Sequence, residues 1–137
     1  MMHKLSLSFL SRFSDFGLLI MRIGLGLMMI VHGWPKLAAG AEKWEKLGGA
    51  MTHIGVDVAP QFWGFMASMT EVFGGLFLIL GFLTRLSSAL LTFVMLVAAL
   101  MHFGEGHGLD SAGHAIELGV VFLGFLFVGA GKYAMDK

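Results

Sequence analysis

Four stretches of this chain are apolar for about 20 residues each, the length of helix that crosses a hydrocarbon core. They run from about 15–34, 61–83, 86–103 and 112–129. No other feature constrains the fold as much. Lipid offers no partner to an open backbone N–H or C=O, so each spanning stretch must satisfy its own, which a helix does. The chain is therefore expected to be all-α, an integral membrane four-helix bundle forming one domain over residues 1–137. Composition supports this where it bears on it. The chain is 57% hydrophobic and 13% charged, against about 25% charged in an average soluble domain. A soluble chain of 137 residues leaves too much surface exposed to hide so many apolar side chains.

The punctuation between the stretches gives the connectivity. Pro35 and Lys36 are expected to stop the first span, Pro60 to open the second, and Lys132 and Lys137 to close the last. The Leu83-Thr84-Arg85-Leu86 link is short enough to make the second and third spans an antiparallel hairpin, and the glycine-rich link 104–110 does the same for the third and fourth. Only the first connection is long. In it Trp44, Leu47, Met51 and Ile54 recur at helical spacing among Glu42, Lys43, Glu45 and Lys46, which predicts a short amphipathic helix on the membrane surface. Leu5, Phe9, Leu10 and Phe13, interleaved with Lys4, Ser8 and Arg12, predict an interfacial N-terminal segment. Ala39-Gly40-Ala41 resembles a signal-peptidase site, but the apolar run before it is long for a signal peptide, and the first span is expected to be retained. Four spans put both termini on one side, with Lys4, Arg12, Arg85, Lys132 and Lys137. Lys36, Lys43 and Lys46 on the other side are offset by Glu42 and Glu45. The positive-inside rule then predicts that both termini are cytoplasmic.

Several chemistries are excluded. There is no cysteine, hence no disulfide or thiolate chemistry, and zero net charge gives no basic surface for nucleic acid. What remains is a handful of ionisable groups inside the spans, costly there and expected to face the bundle interior and find partners. These are Arg22, Glu71 and Glu117. At ~1.5 Å per residue, Glu71 and Glu117 share a depth of roughly 18–20 Å from the terminal side, with His32, His102 and His114 a few Å further out and Arg22 within side-chain reach of Glu71. The functional reading is a polar pocket in the outer half of the bundle, under a lid made by the surface helix and the glycine-rich loop. Glu71 and Glu117 would be its proton-handling catalytic groups, with Arg22, His32, His102, His114 and Trp34 as binding contacts. The structural reading of the same residues is an Arg22–Glu71 ion pair that sets helix register, with His32 solvated at the interface and His3 and His53 on the surface. His102, His107 and His114, with Glu105 and Asp110, match no standard metal-ligand spacing, so no metal is expected. A weak internal echo, Glu71-Val72-x-Gly74 against Glu117-Leu118-Gly119, suggests two similar helix hairpins.

One run of residues resembles a known family. Arg22-Ile23-Gly24-Leu25-Gly26, His32-Gly33-Trp34-Pro35-Lys36-Leu37 and Glu71-Val72-Phe73-Gly74-Gly75-Leu76, continuing to Gly81-Phe82-x-Thr84-Arg85, are similar to the DoxX family of small bacterial four-span membrane proteins. The resemblance implies a four-helix membrane domain and a link to quinone-dependent redox or oxidative-stress systems. It leads to a membrane subunit of such a system that binds a quinone in the pocket. Two other readings stand beside it: an anchor or assembly scaffold for soluble redox enzymes, or a small-molecule transporter. A homo-oligomer is compatible with each of these roles. Lipid is a partner in every case.

Overall fold

The computed structural model describes residues 2–136, apart from the side chain of His3. Lys137 and the His3 side chain, both assigned above, lie outside the described residues. Among the described residues every regular element is helical: α1 (Met2–Leu5), a 3-10 segment (Ser8–Phe13), α2 (Ser14–Ala38), α3 (Ala41–Gly48), a second 3-10 segment (Gly49–Ile54), α4 (Pro60–Leu80), α5 (Thr84–Gly104) and α6 (Leu109–Val128). Four of these are long and apolar enough to cross a membrane: α4, α5, α6, and α2 taken together with the 3-10 segment before it.

Two of the boundaries that differ from the sequence expectation do so for a clear local reason. The first span does not stop at Pro35. Helix α2 runs through it to Ala38. Proline's fixed φ is helical, and its missing N–H forfeits one bond near the end of the helix. The second span ends at Leu80 rather than near 83, because Gly81 takes a left-handed conformation (φ 68°) and folds the chain back. Its N–H donates to Leu78 O at 3.2 Å and that of Phe82 to Phe77 O at 2.9 Å, the paired bonds of a glycine C-cap. The amphipathic stretch forms as α3 but tightens into the 3-10 segment after Gly48, so its four apolar residues do not lie on one continuous α-helix.

The bundle is built from two tight pairs, α2 on α4 and α5 on α6, joined more loosely along α4 and α5. Glycines set the first pair. A Cβ on Gly26 would lie 2.4 Å from Gly75 O, and one on Gly33 would lie 2.6 Å from Glu71 Cβ. Without a hydrophobic force between helices in lipid, such close backbone approach is a main source of packing energy. The same device clamps α3 onto α4, where a Cβ on Gly64 would fall 1.8 Å from Trp44 O. Between the pairs lies one apolar core drawn from all four spans: Met29, Leu78, Leu91, Met95, Ala99, Ala115 and Phe122. Ala50 and Met51 pack on Val97 in a smaller cluster that seats the 3-10 segment on α5.

On the terminal side, the chain after α6 folds back across the helix ends. Arg22 is fully buried. Its guanidinium donates to Leu78 O (3.0 Å), to Ile79 O (3.3 Å) and to Tyr133 O. The first two are carbonyls left open at the C-terminus of α4, the negative end of that helix dipole. Asp136 accepts from the Leu83 and Thr84 amides at 2.8 and 2.9 Å, capping the N-terminus of α5, while its own N–H donates to Gly81 O at 2.8 Å.

Candidate functional site

The loose seam between α4 and α5 opens, on the long-loop side, into a cavity of about 360 Å³. Helix α4 contributes Ser68, Thr70 and Glu71, α5 contributes Val97, Met101 and His102, and α2 contributes Lys36. Leu47, Gly48, Ala50 and Met51 of α3 and its 3-10 extension form the roof. The roof is tied to the end of α2 by Trp44, whose indole N–H donates to Lys36 O at 3.1 Å, and to α4 by the edge-on contact of Trp44 with Phe65. The walls are mainly apolar. Phe62, Met66, Leu90 and Phe93 line the cavity and are also exposed on the outside of the bundle, so the cavity opens sideways toward lipid.

The polar groups of the cavity centre on one ion pair. Lys36 Nζ donates to both carboxylate oxygens of Glu71, at 3.1 and 3.2 Å. The Glu71 side chain is 6% exposed and that of Lys36 34%. Glu71 is buried because Gly33 lets α2 press against its Cβ, and Lys36, three residues on, emerges on the same helix face. His102 also lines the cavity, and its Nδ1 is 3.1 Å from Nδ1 of His107 in the following loop. At that distance one ring nitrogen donates and the other accepts. Glu105 lies 3.8 Å from His107, and the His53 ring packs over Gly104.

Of the residues picked from the sequence, then, Glu71 and His102 come together in one cavity and the others do not. Arg22 is not the partner of Glu71. It is buried at the opposite end of the bundle, held by carbonyls of α4 and of the C-terminal tail. Glu117 does not face the interior: it is exposed on the outside of α6. His32 and His114 face each other across the α2–α6 seam, ring centroids 5.9 Å apart and both exposed. The Nδ1 of His32 lies 2.7 Å from Met28 O. Trp34 is 59% exposed. Among the described residues no three His, Asp or Glu side chains are placed to share a metal ion.

The residue that sequence reading missed is Lys36. With the helix taken to end at Pro35, Lys36 counted as a loop charge. Once α2 is known to continue, Gly33 and Lys36 at i and i+3 mark the face that meets Glu71, and that spacing was the available signal. Ser68 was also missed. Its hydroxyl is buried and donates to Gly64 O at 2.9 Å.

Comparison with known proteins agrees with this architecture. The DoxX family profile matches residues 17–104, covering α2 through α5. The inner membrane protein YqjF of Escherichia coli (strain K12) is 31% identical over 132 residues, 93% of this chain and 95% of its own length. No solved structure matches the chain. With four apolar spanning helices, a family match over most of the bundle and an inner-membrane relative that aligns along nearly its whole length, this multi-pass inner-membrane protein belongs to the DoxX family.

Proposed function

We propose that the chain is a single-domain membrane subunit of a redox or oxidative-stress system, and that it binds a quinone head group in the α4–α5 cavity with both termini cytoplasmic. One observation carries the reading: a half-buried ion pair, Lys36 with the buried Glu71, in an apolar cavity that opens toward lipid. A quinone reaches its site from the bilayer and has two ring oxygens to satisfy. Lys36 would donate to one of them. Reduction adds two electrons, supplied by a redox partner, and two protons. Glu71 and His102 would each take up a proton from the loop side, to which the His102–His107 contact leads, and pass it to a ring oxygen. Sites for such ligands are mostly apolar with a few convergent polar groups.

The tail also has a place. A second, shallower groove of about 190 Å³ runs down the same seam toward the terminal side, lined by Phe73, Phe77, Leu86 and neighbours, and it shares Thr70 and Leu90 with the cavity. A head group beside Glu71 would leave its isoprenoid chain along this groove. The orientation rests on Arg12, Arg85 and Lys132 at the terminal side. On the loop side Lys36 is neutralised by Glu71, leaving Lys43 and Lys46 against Glu42 and Glu45.

The test is titration of the full chain in lipid nanodiscs with a short-tailed quinone analogue, read by quenching of tryptophan fluorescence, since Trp63 lines the cavity. Glu71→Gln should weaken binding at least about tenfold, the scale of one charged hydrogen bond. Glu117→Gln should leave it unchanged. Absence of saturable binding, or undiminished affinity in Glu71→Gln, would sink the proposal.

A further inference from the structure

The three charged groups inside the spans meet two fates. Arg22 and Glu71 are buried and partnered. Glu117 is exposed, and among the described residues no hydrogen bond or ion pair reaches it. It sits about 12 Å into α6 from the loop-side end, at ~1.5 Å per residue, and about 17 Å from the other end. A carboxylate side chain is too short to reach either interface from there. An ionisable group facing lipid at that depth is costly whether charged or neutral, because its polar atoms find no water. Among the described residues the two cations set within the first spanning helix are already engaged, Lys36 by Glu71 and Arg22 by three carbonyls.

The face around Glu117 has its own character. Gly113, Val120 and Gly124 stand at four before, three after and seven after it, on the same side of α6. A Cβ on Gly113 or Gly124 would meet nothing within 4 Å in this chain, and Val120 is 65% exposed. The face is flat enough for another helix backbone to approach closely. One turn toward the loop side, His114 is exposed beside His32. A carboxylate and an imidazole one turn apart on an open face are self-complementary. A two-fold axis along the membrane normal would set each Glu117 against the partner's α6 at equal depth, with an imidazole about 5 Å above it. Every contact in such an interface occurs twice.

We infer that this α6 face is a homodimer interface, in which Glu117 of each copy is hydrogen-bonded by His114 of the other across a close crossing at Gly113 and Gly124. The occupant is a second copy of the chain rather than a foreign subunit, because the acid and its partner are both present on the one face. The inference is independent of what the α4–α5 cavity binds.

The absence of cysteine makes the test clean. Val120→Cys in native membranes, under mild oxidant, should give a covalent dimer. Leu96→Cys, on the exposed face of α5, should stay monomeric. In detergent, Glu117→Ala should raise the dimer dissociation constant at least tenfold, and Glu117→Gln, which keeps a hydrogen-bonding group, should raise it less. Gly124→Phe adds bulk at a position where a Cβ would meet nothing within 4 Å of its own chain, and should abolish the dimer while the spans stay folded by circular dichroism. A monomeric mass for the unmodified chain in nanodiscs, equal cross-linking by Leu96→Cys, cross-linking of Val120→Cys to a different protein, or an unchanged dimer in Glu117→Ala would each overturn the inference.

Discussion

At the scale of single residues, the charged groups of the spans are explained by what each must be paired with. Glu71 is satisfied by Lys36, and Arg22 by main-chain carbonyls. Both solutions set the charge against hydrogen-bonding partners, as a desolvated ion requires, although the Nε of Arg22 is left without one. Asp136 works outside the membrane. Partial burial pushes its carboxyl up, but the Thr84 and Leu83 amides and the nearby Arg22 charge outweigh that, and the net result lies below the ordinary value of 3.8. A carboxyl with a lower pKa in the folded state stabilises the fold above its unfolded pKa, and that contribution disappears as pH falls through the folded value. Between neutral pH and 4 the cap should therefore hold, and thermal stability in detergent should fall once pH drops below about 3.8. Asp136→Ala should lose about 1 kcal/mol at pH 7, the usual worth of an N-cap. It should also flatten this acid limb; an unchanged limb would remove Asp136 as its cause.

At the scale of elements, the glycines carry the specificity that hydrophobicity cannot. Every spanning helix is apolar all round, so burial alone does not decide which faces meet. Gly26 and Gly33 on α2, Gly75 and Gly64 on α4, and Gly48 on α3 decide it by permitting backbone approach that any Cβ would block. Gly64→Ala forces a methyl into the Trp44 carbonyl and should detach the roof, increasing hydrogen exchange in α3 and lowering affinity for the proposed quinone ligand. Gly17→Ala is the contrast. Its site is open, so the exchange should stabilise α2 by up to about 1 kcal/mol through helix propensity alone. Equal effects of the two substitutions on thermal stability would refute the packing argument.

At the scale of the whole molecule, the two ends of the bundle are held differently. The loop end has the roof of α3 over the cavity. The terminal end is stitched by residues 129–136, which reach α2 through Asp15 and Arg22, α4 through Leu80 and Gly81, and α5 through Leu83 and Thr84. Truncation after Gly131 removes all of these contacts at once. It should lower the melting temperature in detergent by several degrees or more, while affinity at the loop-side cavity changes little. A large loss of affinity with unchanged stability would reverse that assignment. The hairpin echo also takes a physical form here. Glu71 and Glu117 occupy the second helix of each tight pair, yet only the first pair carries a long connection that covers its glutamate.

The sequence by itself determined the number of spans, their approximate limits, their antiparallel order and the amphipathic α3, because lipid enforces length and apolarity residue by residue and both are written locally. It also marked the costly positions, Arg22, Glu71 and Glu117. It did not determine their partners. Depth along a helix is legible from residue number, but the direction a side chain faces depends on how each helix is rotated in the bundle. A few close glycine contacts, the continuation of α2 through Pro35 and the path of the C-terminal tail set that rotation. Two glutamates at one depth therefore ended on different faces, and Arg22, near enough by count to reach Glu71, was claimed instead by the open carbonyls at the end of α4.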